Sequence, residues 1–196
     1  MTFAMIAGCS HTAGTGNNLK DCYVSLLENY YGFPIYNWGV PGAGGEEVLT
    51  KVVTCVNQSS RPEFIIAQWP NPFRKMFWIN GHQKTENVNT GNEVFNAMVK
   101  YGDENFYEPW IQSIIVASLL CKLAHIPLIN IMLENIDQVY HTRLAAENIV
   151  LYVDEKLPGH TWLFDSAAQD SLHHSPMCHA QWAERLTGII NEYTAR

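Results

Sequence analysis

The first fourteen residues, Met1-Thr2-Phe3-Ala4-Met5-Ile6-Ala7-Gly8-Cys9-Ser10-His11-Thr12-Ala13-Gly14, decide how the rest of the chain is read. An apolar run over residues 3–7 passes directly into small and polar residues, which predicts a buried strand handing over to a loop. Residues 18–30 then place Leu19, Cys22, Tyr23, Leu26, Leu27 and Tyr30 at helical spacing. Strand, loop and helix in that order leave Ser10 at the C-terminal end of the first strand.

The alternation continues outward. "FPIYNWG" (33–39) reads as a second strand closed by the glycine-containing loop 39–45, and residues 46–56 carry apolar side chains at 48, 49, 52, 53 and 56, one face of a helix. Glu46 and Glu47 favour the positive N-terminal end of that helix. "RPEFIIAQW" (61–69) is a turn followed by a continuous apolar strand. Strands alternating with helices this early predict a three-layer α/β/α sandwich with a mostly parallel central sheet, flavodoxin-like in class. Residues 70–108 break the rhythm with Pro, Asn, Gly and aromatic residues, and are expected to form an inserted loop or short helices over the active rim. Beyond them a buried helix is expected over 110–123, a strand in "PLINIMLEN" (127–135), and a helix then a short strand or loop in 137–156. "TWLFD" (161–165) is a further candidate strand. Ser175-Pro176 offers an N-cap followed by the residue favoured at the first helical position, and Ala183, Leu186, Ile190 and Tyr193 share one face of the helix that follows.

The 196 residues, 47% of them hydrophobic, suffice to bury one core, so a single domain over 1–196 is expected. Nineteen acidic residues face twelve basic ones, with no dense Lys/Arg cluster, which argues against a nucleic-acid partner. No apolar stretch is long enough to span a bilayer, and the N-terminus lacks the basic segment of a secretory signal, so a soluble protein without a membrane partner is expected. Five cysteines without a C-x-x-C pair suggest neither a disulfide framework nor a compact zinc site and fit a reducing, cytoplasmic compartment.

In an open parallel sheet, ligands lie beyond the C-terminal strand ends. Ser10, Gly42 and Asn71 follow the first, second and third predicted strands, so they can converge. A serine hydroxyl becomes a useful nucleophile only beside an oriented base. The histidine-rich segment before the last helix, "AAQDSLHHSPMCHAQW", supplies Asp170 and His173, three apart, as orienting carboxylate and base. Backbone N–H groups of Ser10 and Gly42 with the Asn71 amide are candidate oxyanion donors.

On these residues the chain resembles the SGNH or GDSL hydrolase superfamily. "GCSHT" is similar to the family's first block, "NWGVPG" to its Asn-x-x-x-x-Gly block, and "DSLH" to its final Asp-x-x-His block. The resemblance implies an oxyanion role for Gly42, triad roles for Asp170 and His173, no cofactor, and a serine esterase acting on a small acyl ester, with an O-acetyl group on carbohydrate as a candidate substrate. Two blocks depart from the pattern. Cys9 stands where the family has Asp, and "QWPNPFRK" replaces Gly-x-Asn-Asp, with Gln68 as a candidate substitute amide for Asn71.

Other readings compete for the same residues. Ser10 could cap a helix, Gly42 could serve a tight turn and Asn71 a turn between prolines. His11 is a candidate substrate contact or alternative base, Cys9 an alternative nucleophile, and His174 an alternative to His173. Asp170, His173, His174, Cys178 and His179 form a tempting zinc cluster, but adjacency supplies no coordination geometry, and no metal is expected. Trp69, Phe73, Phe77, Trp78 and Trp110 are either core or substrate wall, and Arg74 and Lys75 either solvated charges or contacts to an acidic substrate. The alternative from another class is a catalytically inactive protein that keeps the scaffold for binding or assembly.

Overall fold

The computed structural model describes residues 2–79, 82–86, 104–132, 138–153 and 175–194. Five strands, β1 (Ala4–Gly8), β2 (Ile35–Gly39), β3 (Ile65–Trp69), β6 (Leu128–Met132) and β7 (Leu151–Val153), form a parallel sheet in the order β2-β1-β3-β6-β7. Two more, β4 (Lys75–Ile79) and β5 (His82–Glu86), pair antiparallel as a separate sheet.

Every residue of β1, β3 and β6 is buried, so the middle of the sheet is covered on both faces. Successive side chains of a strand point to opposite faces, and the two faces collect different helices. Met5, Ala7, Ile65, Ala67 and Trp69 pack with Val48 and Val52 of α3 (Gly45–Val56) and with Trp110, Ile111 and Ile114 of α4 (Glu104–Leu123). Ala4, Ile6, Ile66, Ile129 and Ile131 pack with Val24 and Leu27 of α2 (Tyr23–Tyr31) and with Trp182, Leu186 and Ile190 of α6 (Pro176–Thr194). The short α5 (Gln138–Ala146) joins the α4 side through Leu144 and through the Tyr107–Tyr140 ring stack at 4.1 Å. The three-layer α/β/α sandwich expected from the sequence is the fold observed.

Three boundaries differ from expectation. The helix expected from residue 18 starts at Tyr23, because Cys22 stays extended and turns its buried thiol toward Thr12 O (3.4 Å), leaving Leu19 in a 3-10 turn with 68% of its surface exposed. The helix expected from residue 110 begins at Glu104. Phe106, Trp110, Ile114, Ala117 and Cys121, all buried, continue one face across Pro109, whose missing N–H costs a bond near the helix start. Within 70–108, the described residues include an antiparallel hairpin in place of the irregular connection expected. Its register pairs Ile79 with His82 across Asn80-Gly81, the dipeptide most favoured in two-residue hairpin loops. The candidate strand 161–165 lies outside the described residues.

The start of α6 follows the sequence reading. Ser175 is fully buried and its hydroxyl accepts a hydrogen bond from Cys178 N–H at 3.3 Å, with Pro176 in the first helical position. Ser175→Ala is therefore expected to lower unfolding free energy by about 1 kcal/mol, the usual worth of an N-cap, read from the midpoint of urea denaturation. An unchanged midpoint would show that this cap carries no load.

Candidate functional site at the C-terminal rim of the sheet

β1 ends at Gly8, Cys9 adopts an extended N-cap conformation, and Ser10 is the first residue of α1 (Ser10–Ala13), a single turn closed by Ala13 N–H on Cys9 O at 3.0 Å. Ser10 is only 7% exposed. The turn is held from beneath by Gln68 of β3. Its Oε1 accepts from Cys9 N–H (3.0 Å), from the Cys9 thiol (3.1 Å) and from the Thr12 hydroxyl (3.1 Å), while its Nε2 donates to Trp69 O (3.1 Å). Thr12 has one proton to give, so Tyr23 is the donor in the 2.8 Å bond between its phenol and Thr12 Oγ1. Complete burial pushes the Tyr23 pKa far up, which keeps that proton in place.

Gln68 thus ties the Ser10 turn to β3. An amide oxygen on the neighbouring strand accepts the hydrogen bonds, and Cys9 becomes a donor. The carboxamide expected as a substitute oxyanion donor thus has its oxygen committed to the Ser10 loop and one Nε2 proton to Trp69 O. The Cys9 thiol, 2% exposed and committed to Gln68, has a structural role that does not suit a nucleophile. Nothing in the sequence pairs position 68 with positions 9 and 12; only parallel pairing of β1 with β3, Ala7 opposite Ala67, brings them together.

The second rim meets the first at close range. Val40 N–H bonds Gly8 O at 3.0 Å, and Asn37 Nδ2 donates to Thr12 O at 2.8 Å while its Oδ1 accepts from Gly39 N–H at 2.9 Å. Residues 40–43 then make a turn closed by Ala43 N–H on Val40 O at 3.0 Å. Gly42, exposed, sits in it at φ +84°, a conformation that favours glycine after Pro41.

The third rim is the turn after β3. Asn71 Oδ1 accepts from Phe73 N–H at 2.9 Å and Asn71 O from Arg74 N–H at 3.0 Å. The Asn71 carboxamide oxygen is thus bound within its own turn. Trp110 Nε1 donates to Pro70 O at 2.8 Å, and Phe73 meets Tyr107 edge-on at 5.3 Å, so α4 braces the turn. Cys9, His11, Gln68, Trp69, Pro70, Asn71, Arg74 and Met132 line one small recess of about 30 Å³ between the first and third rims. Trp69 contributes only its floor, because the indole is fully buried and donates to Asn130 Oδ1 at 2.9 Å. Trp110 is likewise core, whereas Phe77, Trp78 and Lys75 lie in the hairpin, whose side chains are not described.

Asp170, His173 and His174 lie outside the described residues. Of the histidine-rich segment, His179 is buried, accepts from Tyr23 N–H at Nδ1 (3.3 Å) and stacks on the Tyr23 ring, while Cys178 accepts from the Ser175 hydroxyl (3.3 Å). These contacts tie the beginning of α6 to the Tyr23–Thr12–Gln68 network under Ser10. Among the described residues no group of three or more His, Cys, Asp or Glu is arranged to hold a metal. No helix among them is long and apolar enough to cross a membrane.

No family profile matches the sequence, and no curated protein matches it. Solved structures do. The esterase EstA of Pseudoalteromonas sp., solved inhibited by monoethylphosphonate, superposes with a TM-score of 0.64 at 14% identity over 99% of each chain. A member of the lipolytic protein G-D-S-L family from Veillonella parvula gives 0.54 at 13% identity, covering 96% of this chain and 98% of that one. A two-domain esterase active on acetylated mannans gives 0.54 at 16% identity, covering 100% of this chain and 50% of that protein. The chain therefore has the three-layer α/β/α fold shared by esterases of the SGNH/GDSL type.

Proposed function

We propose that this protein is a serine esterase of the SGNH/GDSL superfamily that hydrolyses a small acyl ester. The observation that carries the reading is the position of Ser10: the first residue of α1, directly beyond the C-terminal end of β1, on a turn fastened by three hydrogen bonds to one buried amide oxygen. That is where an open parallel sheet presents its reactive groups.

In the proposed reaction Ser10 Oγ attacks the ester carbonyl as its proton passes to His173 Nε2, with Asp170 orienting the imidazole. The carbonyl electron pair moves onto oxygen, and the oxyanion is met by Ser10 N–H, Gly42 N–H and the Asn71 amide. Collapse breaks the bond to the alcohol, which leaves with the proton from His173. Water then attacks the acyl-enzyme, His173 accepting its proton, and the acid departs as Ser10 is restored. An O-acetyl group on carbohydrate is the proposed substrate, a reading supported by the esterase that shares this fold and acts on acetylated mannans.

Treatment with a small fluorophosphonate, followed by intact-mass analysis and peptide mapping, tests the reading. The expected result is a single adduct on Ser10 that His173→Ala abolishes. Folded protein without an adduct would overturn it in favour of a scaffold used for binding.

A further inference from the structure

Arg74 stands at the third rim with a half-buried side chain whose Nε and Nη1 atoms are shielded from solvent and have no hydrogen-bond partner among the described residues. Its backbone is fixed. The N–H bonds Asn71 O at 3.0 Å, and the carbonyl lies so close to Gly44 that a Cβ there would sit 2.9 Å from it. The side chain lies between two small cavities: the 30 Å³ recess with Cys9, His11, Gln68 and Asn71, and a 10 Å³ one with Gly45, Glu46, Phe106 and Trp110. Among the described residues no carboxylate lines the first recess, and none accepts from Arg74 Nε or Nη1, although Glu46 lines the second recess. Buried guanidinium N–H groups without acceptors are rare, because their desolvation is not repaid. Among the described residues, then, two N–H-bearing atoms of this guanidinium lack an acceptor, in a chain whose net charge is −7.

We infer that the ester this site takes carries a carboxylate close to the reacting carbonyl, and that Arg74 pairs with it. The inference rests on the esterase reading and narrows its substrate to an acid-bearing ester, such as an acylated sugar acid. The recess admits the oxygens of such a group and little more, since its volume is on the order of one water molecule. A planar carboxylate is the acceptor an Arg fork binds best. Arg74 acts here as a binding residue that fixes the ester against the Asn71 turn, one hydrogen bond away in the backbone.

The test uses matched esters on the whole protein. On the alcohol side, 4-carboxyphenyl acetate is compared with 4-carbamoylphenyl acetate; on the acyl side, mono-4-nitrophenyl succinate with 4-nitrophenyl acetate. Differences in intrinsic reactivity cancel when the acid-to-neutral ratio of kcat/KM in wild type is divided by that in Arg74→Ala. On one side this quotient is expected to be about 10 to 100, carried mainly by KM, with Arg74→Lys recovering part of it; a quotient near one on both sides overturns the inference while Ser10-dependent turnover leaves the esterase reading standing. Should no ester be hydrolysed in a Ser10-dependent way, the esterase reading fails, and calorimetry on Ser10→Ala with glucuronate against glucose decides the anion site separately. Tighter binding of glucuronate that Arg74→Gln removes supports it, and equal or absent binding overturns it. Thermal unfolding of each Arg74 variant guards against loss of fold.

Discussion

Ser10→Ala is expected to lower kcat toward a small acetate ester by about 10⁴-fold or more, the scale seen when a serine nucleophile is removed from a triad. His173→Ala should lower it comparably, and the double variant little further, as expected of the proposed nucleophile and base acting as a unit. Folding should survive the serine change. Cys9, not Ser10, is the N-cap of α1, and the turn is held by Gln68, Thr12 and the backbone. The check is initial-rate kinetics beside a thermal unfolding curve. An unchanged curve with turnover retained would remove Ser10 from the mechanism, whereas a lowered midpoint would show that its buried oxygen also supports the loop.

The second large effect is expected at Gly39, the last residue of β2. A Cβ there would lie 2.7 Å from the Thr12 carbonyl carbon and closer still to the Ala13 backbone nitrogen. Neither is the flexible end of a side chain, so α1 must move or β2 must bend. Overpacking of this kind costs typically 1–3 kcal/mol, and here the displaced element carries Ser10. Gly39→Ala should therefore lose stability and also at least tenfold in kcat/KM, since small errors in positioning are expensive in catalysis. Gly42→Ala makes the contrast. Its position has nothing within 4 Å of the added methyl, only a φ of +84°, so it should cost about 1 kcal/mol. Urea denaturation of the two variants separates close approach from backbone conformation, and equal losses would contradict the packing argument.

Much of the architecture was legible because each element announces itself over a short range. Apolar runs in β1, β3 and β6, the one-sided periodicity of α3, and the Ser175-Pro176 start of α6 are consequences of local sequence meeting a two-faced sheet. The misses have local causes too. Asn80-Gly81, a dipeptide favoured in two-residue hairpin loops, is the sequence signal for the hairpin, and Phe106 continues the Trp110–Ile114 face upstream of Pro109, although the proline reads as a boundary. Leu19 stands at helical spacing from Tyr23, but the extended Cys22 between them breaks that face.

The sequence by itself determined the layers, the placement of Ser10 beyond β1, and the glycine required after Pro41, because strand period, helix period and backbone sterics act within a few residues. The tertiary structure decided what those residues touch. Gln68 reaches Cys9 and Thr12 only because β1 and β3 are neighbours, Trp69 turns inward because Asn130 waits on β6, and Arg74 Nε and Nη1 meet no acceptor among the described residues where the Asn71 turn holds the Arg74 backbone against Gly44. Hydrogen bonds and charges act over a few ångströms in space, and positions tens of residues apart in the chain come that close only after the sheet has formed.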